Sequence, residues 1–146
     1  MSSACTLPEN PHACCLPMAY GSPVRGPDDI LRYLKWIVCP GRDAFFVLTL
    51  DAGQRIIQPH MVLFKDMSKT MNCVHEVYRP AMEDAAMFVV VVHTLSRDKD
   101  PRTLSQEDEE LIHHIGDTGM VLEIPLLDYI TTDGINHFSC SDEGMM

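Results

Sequence analysis

The chain of 146 residues has no long hydrophobic run, few basic residues and a single tryptophan. No apolar segment approaches the roughly 20 residues that a membrane-spanning helix needs, so we expect no membrane span. The 11 lysines and arginines are outnumbered by 21 aspartates and glutamates, which gives a formal net charge of −10. Because a protein that grips duplex DNA by its phosphates presents a basic surface, direct binding to duplex DNA is disfavoured.

The N-terminal segment lacks the basic start and the long apolar core of a secretory signal. Its prolines, glycines and small polar residues predict a flexible arm over residues 1–26, followed by one folded domain over residues 27–146. The six cysteines have no regular spacing and include no CxxC pair, which disfavours a structural zinc site among the arm's cysteines. Without a secretory signal, we expect reduced thiols and a cytoplasmic protein.

What is present is a composition that is 46% hydrophobic and a regular order of amphipathic and apolar segments. Their periodicity predicts, in order, a helix, two strands, a helix, a strand, a helix and two strands, over residues 26–38, 43–51, 55–64, 75–86, 87–92, 105–119, 120–132 and 135–140. Asp28 is the expected N-cap of the first helix. Pro59 indicates an edge strand or a bulge. This order predicts an α/β fold with a mixed sheet.

One stretch combines a buried strand with polar side chains that could carry chemistry. Val89–Val92 suit a strand covered on both faces, and His93 ends this run. A polar loop follows, and then Ser105 and Asp108 open a helix as N-cap and third helical residue. Two interpretations stay open from the residues alone. In the first, His93 is a hydrogen-bonded residue at a strand end and Ser105–Asp108 are a capping motif; in the second, all three are parts of a metal site.

Several stretches occur in an order that resembles the RadC family: LFKDMSKTMNCVHEVYRPAMEDAAMFVVVVH, then LSQED, then EIPLLDYI. Proteins of this family carry a JAB/MPN (JAMM) metallopeptidase-like domain, and the resemblance covers roughly residues 28–141. It implies a JAB/MPN-type, cytidine-deaminase-like fold: a single domain with a mixed β-sheet flanked by helices. We expect no helix-hairpin-helix segment of the kind that usually precedes this domain in RadC proteins.

The resemblance also implies a set of site residues. In active JAMM enzymes two histidines and an aspartate bind zinc, a glutamate serves as base, and a serine helps to stabilise the oxyanion. Carried over, His93 and Asp108 are the expected metal ligands, and Ser105 matches the serine. Asp43 stands at the position of the glutamate, so the expected base is one methylene shorter. Leu95 stands at the position of the second histidine, and leucine has no lone pair for a metal.

Other departures affect the neighbourhood of this motif. The segment between Leu95 and Asp108 is two residues longer than in the family motif, and Tyr129 replaces the histidine of the family's LLDH. A third ligand could come from Asp98 or Asp100 in the lengthened loop, or from Asp43. Zinc is therefore doubtful, because a catalytic zinc site takes three protein ligands and a water.

Two functions from different classes follow from the resemblance. The first is a catalytically impaired JAB/MPN domain that serves as a binding or scaffold protein in a DNA-repair or mobile-element setting. A protein partner is then expected, with a homodimer as one form. The alternative is a zinc-dependent hydrolase of the metallopeptidase or isopeptidase type that uses a non-standard third ligand.

Overall fold

The computed structural model describes residues 23–35, 43–62, 70–96 and 99–144. The elements are α1 (Pro27–Leu34), β1 (Ala44–Leu50), β2 (Ile56–Val62), α2 (Thr70–Glu83), β3 (Phe88–Thr94), α3 (Gln106–Leu122), β4 (Leu126–Thr132) and β5 (His137–Ser139). Their order and types confirm the sequence prediction. Most of the predicted arm lies outside the described residues. Packed structure begins by Val24, which is buried and donates its N–H to the Gln54 carbonyl at 2.9 Å.

The five strands form one mixed sheet in the order β2-β1-β3-β4-β5. β3 and β4 are parallel, whereas the other neighbouring strands are antiparallel. β3 lies in the centre, and its four valines, Val89–Val92, are at most 1% exposed, as their unbroken apolar run predicts. Pro59 lies on β2, at the edge of the sheet, where its missing N–H is tolerated.

Helices cover both faces of the sheet and create two hydrophobic layers. α2 and α3 pack over one face, against side chains such as Val89, Val91 and Tyr129. α1 packs over the other face, against side chains such as Val90 and Val92. Successive side chains of a strand point to opposite faces, so β3 contributes to both layers. Each fully buried valine contributes about 1.5–3 kcal/mol relative to an exposed one.

Helix boundaries differ from the predicted ones at three places. α1 begins with Pro27 at its first position and Gly26 as N-cap, so the prediction of Asp28 as N-cap is wrong. Proline suits this position because its fixed φ is helical and its missing N–H would be unpaired there anyway. α2 begins at Thr70, earlier than predicted, and it accommodates Pro80 in its interior. The predicted end of α1 at residue 38 lies outside the described residues.

The end of α3 is the third difference. The prediction ended this helix at Gly119 and began a strand at residue 120, but α3 continues to Leu122. It ends where Glu123 adopts a left-handed conformation, with φ 59°. Gly119 has a packing role instead, because a Cβ there would lie 2.6 Å from the Tyr78 hydroxyl oxygen. No helix of the described segments is long and apolar enough to cross a membrane.

Candidate functional site

His93 lies near the carboxyl end of the central strand β3, beside the beginning of α3. In the sheet it is paired with Phe45 of β1 on one side and with Thr131 of β4 on the other. The rings of Phe45 and His93 are stacked, with centroids 3.9 Å apart and planes 15° from parallel. The imidazole is therefore fixed in orientation, with only 13% of its side chain exposed.

Ser105 and Asp108 occupy the first turn of α3, as the capping pattern predicts. The Ser105 Oγ accepts the backbone N–H of Asp108 at 3.1 Å, which caps the helix. The same hydroxyl donates to Asp108 Oδ2 at 2.8 Å. Helix capping therefore explains the positions of both residues without requiring a metal ion.

The Asp108 carboxylate is the centre of the site. His93 Nδ1 lies 3.0 Å from Asp108 Oδ1, and the Tyr129 hydroxyl donates to this same oxygen. Ser105 bonds to Oδ2, so side chains from β3, from β4 and from the start of α3 converge on one carboxylate. Asp108 is only 4% exposed. The structure thus brings together His93, Ser105 and Asp108, and it adds Tyr129. The sequence marked Tyr129 as a substitution but assigned it no role.

The protonation states of these groups favour a closed network. Burial alone would raise the pKa of Asp108, but its hydrogen bond and attraction to His93, with hydrogen bonds from Tyr129 and Ser105, bring it below 3.8. Burial, followed by the nearby Asp108 carboxylate, raises the pKa of Tyr129 well above 10. Tyr129 is therefore a phenol that keeps its proton and donates a hydrogen bond to a carboxylate, and a buried charge-assisted hydrogen bond of this kind is strong.

Asp43, the expected base, lies just before β1 and is held by the loop that follows β3. Its Oδ1 accepts the Ser96 N–H at 2.9 Å, and its Oδ2 accepts from Lys99 Nζ at 3.0 Å. Burial would raise the pKa of Asp43, but Lys99, the Ser96 amide and His93 together lower it below 3.8. An efficient general base has a pKa near the working pH, so these contacts make Asp43 a weaker base.

Leu95, at the position of the family's second histidine, is 6% exposed. It lines a cavity together with Leu31 and Leu34 of α1, on the face of the sheet opposite to α2 and α3. Its backbone N–H donates to the Thr132 carbonyl at 2.8 Å. Leu95 therefore has apolar neighbours, as expected for a leucine in this position.

The substitute ligands predicted from the lengthened loop have different outcomes. Asp98 lies outside the described residues. Asp100 accepts the Arg102 N–H at 3.0 Å and is exposed, so its contacts stay within its own loop. Across the described segments, no three or more His, Cys, Asp or Glu side chains are grouped so that they could hold an ion. Within these segments, the two donors His93 and Asp108 alone do not meet the three-ligand requirement of a catalytic zinc.

A second histidine–aspartate pair was not found from the sequence. His60 Nε2 on β2 lies 2.7 Å from Asp84 Oδ2, just after α2, and Thr49 Oγ1 of β1 is also 2.7 Å from this oxygen. Burial would raise the pKa of Asp84, but His60 and Thr49 lower it below 3.8. No motif marks these residues, which are 24 and 35 positions apart in the chain, so only the folded structure reveals the contact.

Comparisons with known proteins agree with the family resemblance and with the fold. The family described as "RadC-like JAB domain" matches residues 24–145. A UPF0758 protein of Pelobacter propionicus is 30% identical over 105 residues, which are 72% of this chain and 45% of that protein. A UPF0758 protein of Chlorobaculum parvum is 24% identical over 125 residues, covering 84% of this chain and 55% of its own length.

The matched segment is nearly the whole of the described structure, from Val24 in the first packed stretch to the residues after β5. The chain spans about half the length of the curated relatives that it matches. The mixed sheet, the three helices and the His93–Ser105–Asp108 cluster all lie within the matched residues. The chain therefore belongs to the RadC-like JAB domain family.

Proposed function

We propose that this RadC-like JAB domain is catalytically impaired and acts as a binding or scaffold protein in the cytoplasm, in a DNA-repair or mobile-element setting. One observation carries the proposal: both oxygens of the Asp108 carboxylate are engaged by protein side chains. His93 and Tyr129 occupy Oδ1, while Ser105 occupies Oδ2. A metal would have to displace this buried network, and it would find too few other donors among the described residues.

The state of Asp43 supports the same proposal. Its two oxygens accept from the Ser96 amide and from Lys99, both in the loop that is longer than in the family motif. A carboxylate that is ion-paired and has a lowered pKa is a poor acceptor for a proton from water. The position of the family's base is therefore occupied by a group that favours a structural ion pair.

The hydrolase alternative is tested by metal content and activity together. Untagged protein is loaded with zinc, dialysed, and analysed for bound metal by mass spectrometry. We expect less than one equivalent of retained zinc, and equal background cleavage of peptide and isopeptide substrates by the protein and by Asp108→Ala. Stoichiometric zinc with cleavage that Asp108→Ala abolishes would contradict the proposal and establish the hydrolase.

A second experiment restores the missing histidine. Leu95→His supplies a donor at the family position. The loop that follows it is still two residues longer than in the family motif, and Asp108 remains bonded to His93 and Tyr129. We expect Leu95→His alone to retain no more zinc than the starting protein. The triple change Leu95→His, Tyr129→His and Asp43→Glu is the matched comparison, since it returns the three substituted positions to the family pattern. Stoichiometric zinc in the single variant would show that the loop is not an obstacle.

The edge strand β2 offers a surface for a protein partner. Within the described segments β2 is the last strand on its side of the sheet, and Ile57 and Met61 on it are 37% and 62% exposed. An open strand edge with exposed apolar side chains favours pairing with another chain. We propose a second copy of this chain as the partner at β2.

Sedimentation velocity over a range of concentrations tests the homodimer. We expect dimer formation that Met61→Glu weakens, because it places a charge on the proposed contact. Met120→Glu is the matched control, since Met120 is 79% exposed on α3 and lies outside β2. A monomer at all concentrations, or equal effects of both variants, would remove β2 as a self-association surface.

A further inference from the structure

A cavity of about 330 Å³ lies at the carboxyl ends of the two parallel strands, on the α1 face of the sheet. Thr94 and Thr132, the last residues of β3 and β4, are among its lining residues. In open α/β sheets, ligands bind in crevices outside the carboxyl ends of parallel strands. The size is at the lower end of the range for small-molecule pockets, which begins near 300 Å³.

The wall of this cavity is mostly apolar. Leu31 and Leu34 come from α1, Leu95 follows β3, and Ile135 comes from the turn between β4 and β5. Ile135 is 75% exposed although it lines the cavity. An apolar ligand group would cover this exposed surface and the leucines beneath it.

Two polar side chains of the wall, Thr132 and Asp133, have partners inside the turn between β4 and β5. Thr132 Oγ1 donates to the Asn136 carbonyl at 2.9 Å and accepts the Gly134 N–H at 3.0 Å. Asp133 Oδ1 accepts the N–H groups of Ile135 and Asn136 at 2.8 and 2.7 Å. These two amides partly offset the charge of Asp133, and they orient its carboxylate toward the turn.

Two polar side chains of the wall differ from these. Lys35, just after α1, and His137, on β5, are both exposed, and neither has a side-chain hydrogen bond or ion pair with another described residue. Both are hydrogen-bond donors, and lysine carries a positive charge at neutral pH. Lys35 and His137 therefore give this wall two donors, beside the one carboxylate of Asp133, whose Oδ1 is already engaged by two amides.

We infer that this cavity binds a small apolar monocarboxylate, with its hydrocarbon part against Leu31, Leu34 and Leu95 and its carboxylate at Lys35 and His137. The position of Leu95 gives this leucine a structural role besides the loss of a metal donor. At the place of a family metal ligand, the leucine supplies part of an apolar wall on the other face of the sheet. This inference does not depend on the absence of zinc or on the proposed protein partner.

The experiment uses the whole chain, with octanoate as the probe and octanamide and octylamine as matched neutral and cationic probes. Isothermal titration gives the stoichiometry and the Kd, and amide chemical shifts locate the site. We expect one octanoate per chain, shift changes at Leu95, Gly134 and Ile135, and weaker binding of the other two probes. Octylamine that binds as well as octanoate would overturn the inference and point to Asp133 as the controlling charge.

Substitutions separate this site from unspecific uptake of a fatty chain. Lys35→Met is expected to weaken octanoate about threefold to fivefold, the effect of losing one partly exposed ion pair. Arg79→Met is the matched control on α2, at the other face of the sheet, and it should leave the Kd unchanged. Leu31→Trp should fill the cavity and abolish binding. Equal effects of Lys35→Met and Arg79→Met, or shift changes elsewhere on the protein, would overturn the inference.

One further comparison distinguishes a small free acid from the C-terminal carboxylate of a protein chain. A short peptide with an apolar last residue is compared with its C-terminally amidated form. We expect both peptides to bind more weakly than octanoate, because the cavity has room for a small molecule only. A free-acid peptide that binds more tightly than octanoate would overturn the assignment to a small monocarboxylate.

Discussion

The molecule contains two histidine–aspartate pairs with nearly the same chemistry and different surroundings. His93 and Asp108 join β3 to α3, and their side chains are 13% and 5% exposed. His60 and Asp84 join the edge strand β2 to the end of α2, and their side chains are 24% and 14% exposed. Each aspartate also has a hydroxyl-bearing neighbour, but only Asp108 has one on each of its two oxygens.

This difference indicates what makes a histidine–aspartate contact structural. Around Asp108, the aromatic ring of Phe45, the phenol of Tyr129 and the hydroxyl of Ser105 leave little access for water. Around Asp84, at the sheet edge, water can replace a lost partner. An unpaired polar group costs more where water cannot reach it, so we expect the same substitution to have unequal effects at the two pairs.

The largest expected effect comes from removing each carboxylate. Asp108→Ala should lower the free energy of unfolding by about 3 kcal/mol, because it leaves several buried donors without an acceptor. Asp84→Ala should lower it by about 1 kcal/mol, since His60 can turn to solvent. Urea denaturation followed by circular dichroism measures both, with Asp117→Ala on the exposed face of α3 as the control. Equal losses in the free energy of unfolding at the two pairs would contradict the expected difference between them.

A second prediction concerns acid. The pKa values of Asp108 and Asp84 are both lowered in the folded protein, so each contributes stability that is present above about pH 4 and lost as the pH falls further. Asp108→Asn removes this titration, so its stability should fall less steeply with acidification than that of the unsubstituted chain. The corresponding flattening in Asp84→Asn should be smaller. Parallel curves for Asp108→Asn and the unsubstituted chain would contradict the lowered pKa of Asp108.

The smallest expected effect comes from the hydroxyl neighbours. Tyr129→Phe should cost about 1–2 kcal/mol, because a buried carboxylate oxygen loses one of its donors. Thr49→Val should cost less than about 1 kcal/mol, since His60 remains on the same oxygen of Asp84. A double-mutant cycle of Tyr129→Phe with Asp108→Asn measures their coupling. Additive effects in that cycle would show that the phenol and the carboxylate do not act together.

Local patterns in the sequence were sufficient for much of the fold. The unbroken valine run of β3 predicts a strand covered on both faces, and Ser105 predicts the start of α3. Pro59 correctly indicates an edge strand. The end of α3 was missed because Gly119 is read locally as a helix stop, whereas its role is the close approach of Tyr78.

The candidate site could be predicted only in part. The family motif places His93, Ser105 and Asp108 near one another because they flank one strand and one helix start. It gives no partner for Asp43, whose contact with Lys99 spans 56 positions and depends on the path of a longer loop. The His60–Asp84 pair had no motif at all, because its residues come from an edge strand and a helix end.

By itself, the sequence determined the order of the elements, the central apolar strand, the capped start of α3 and the loss of a donor at Leu95. Only the tertiary structure decided that Tyr129 closes onto Asp108, 21 positions away, and that Leu95 lines a cavity against α1. The physical reason is the separation along the chain over which each interaction acts. Capping and strand patterning act between residues close in the chain, whereas a buried carboxylate takes its partners from whichever strands and helices the packed core brings beside it.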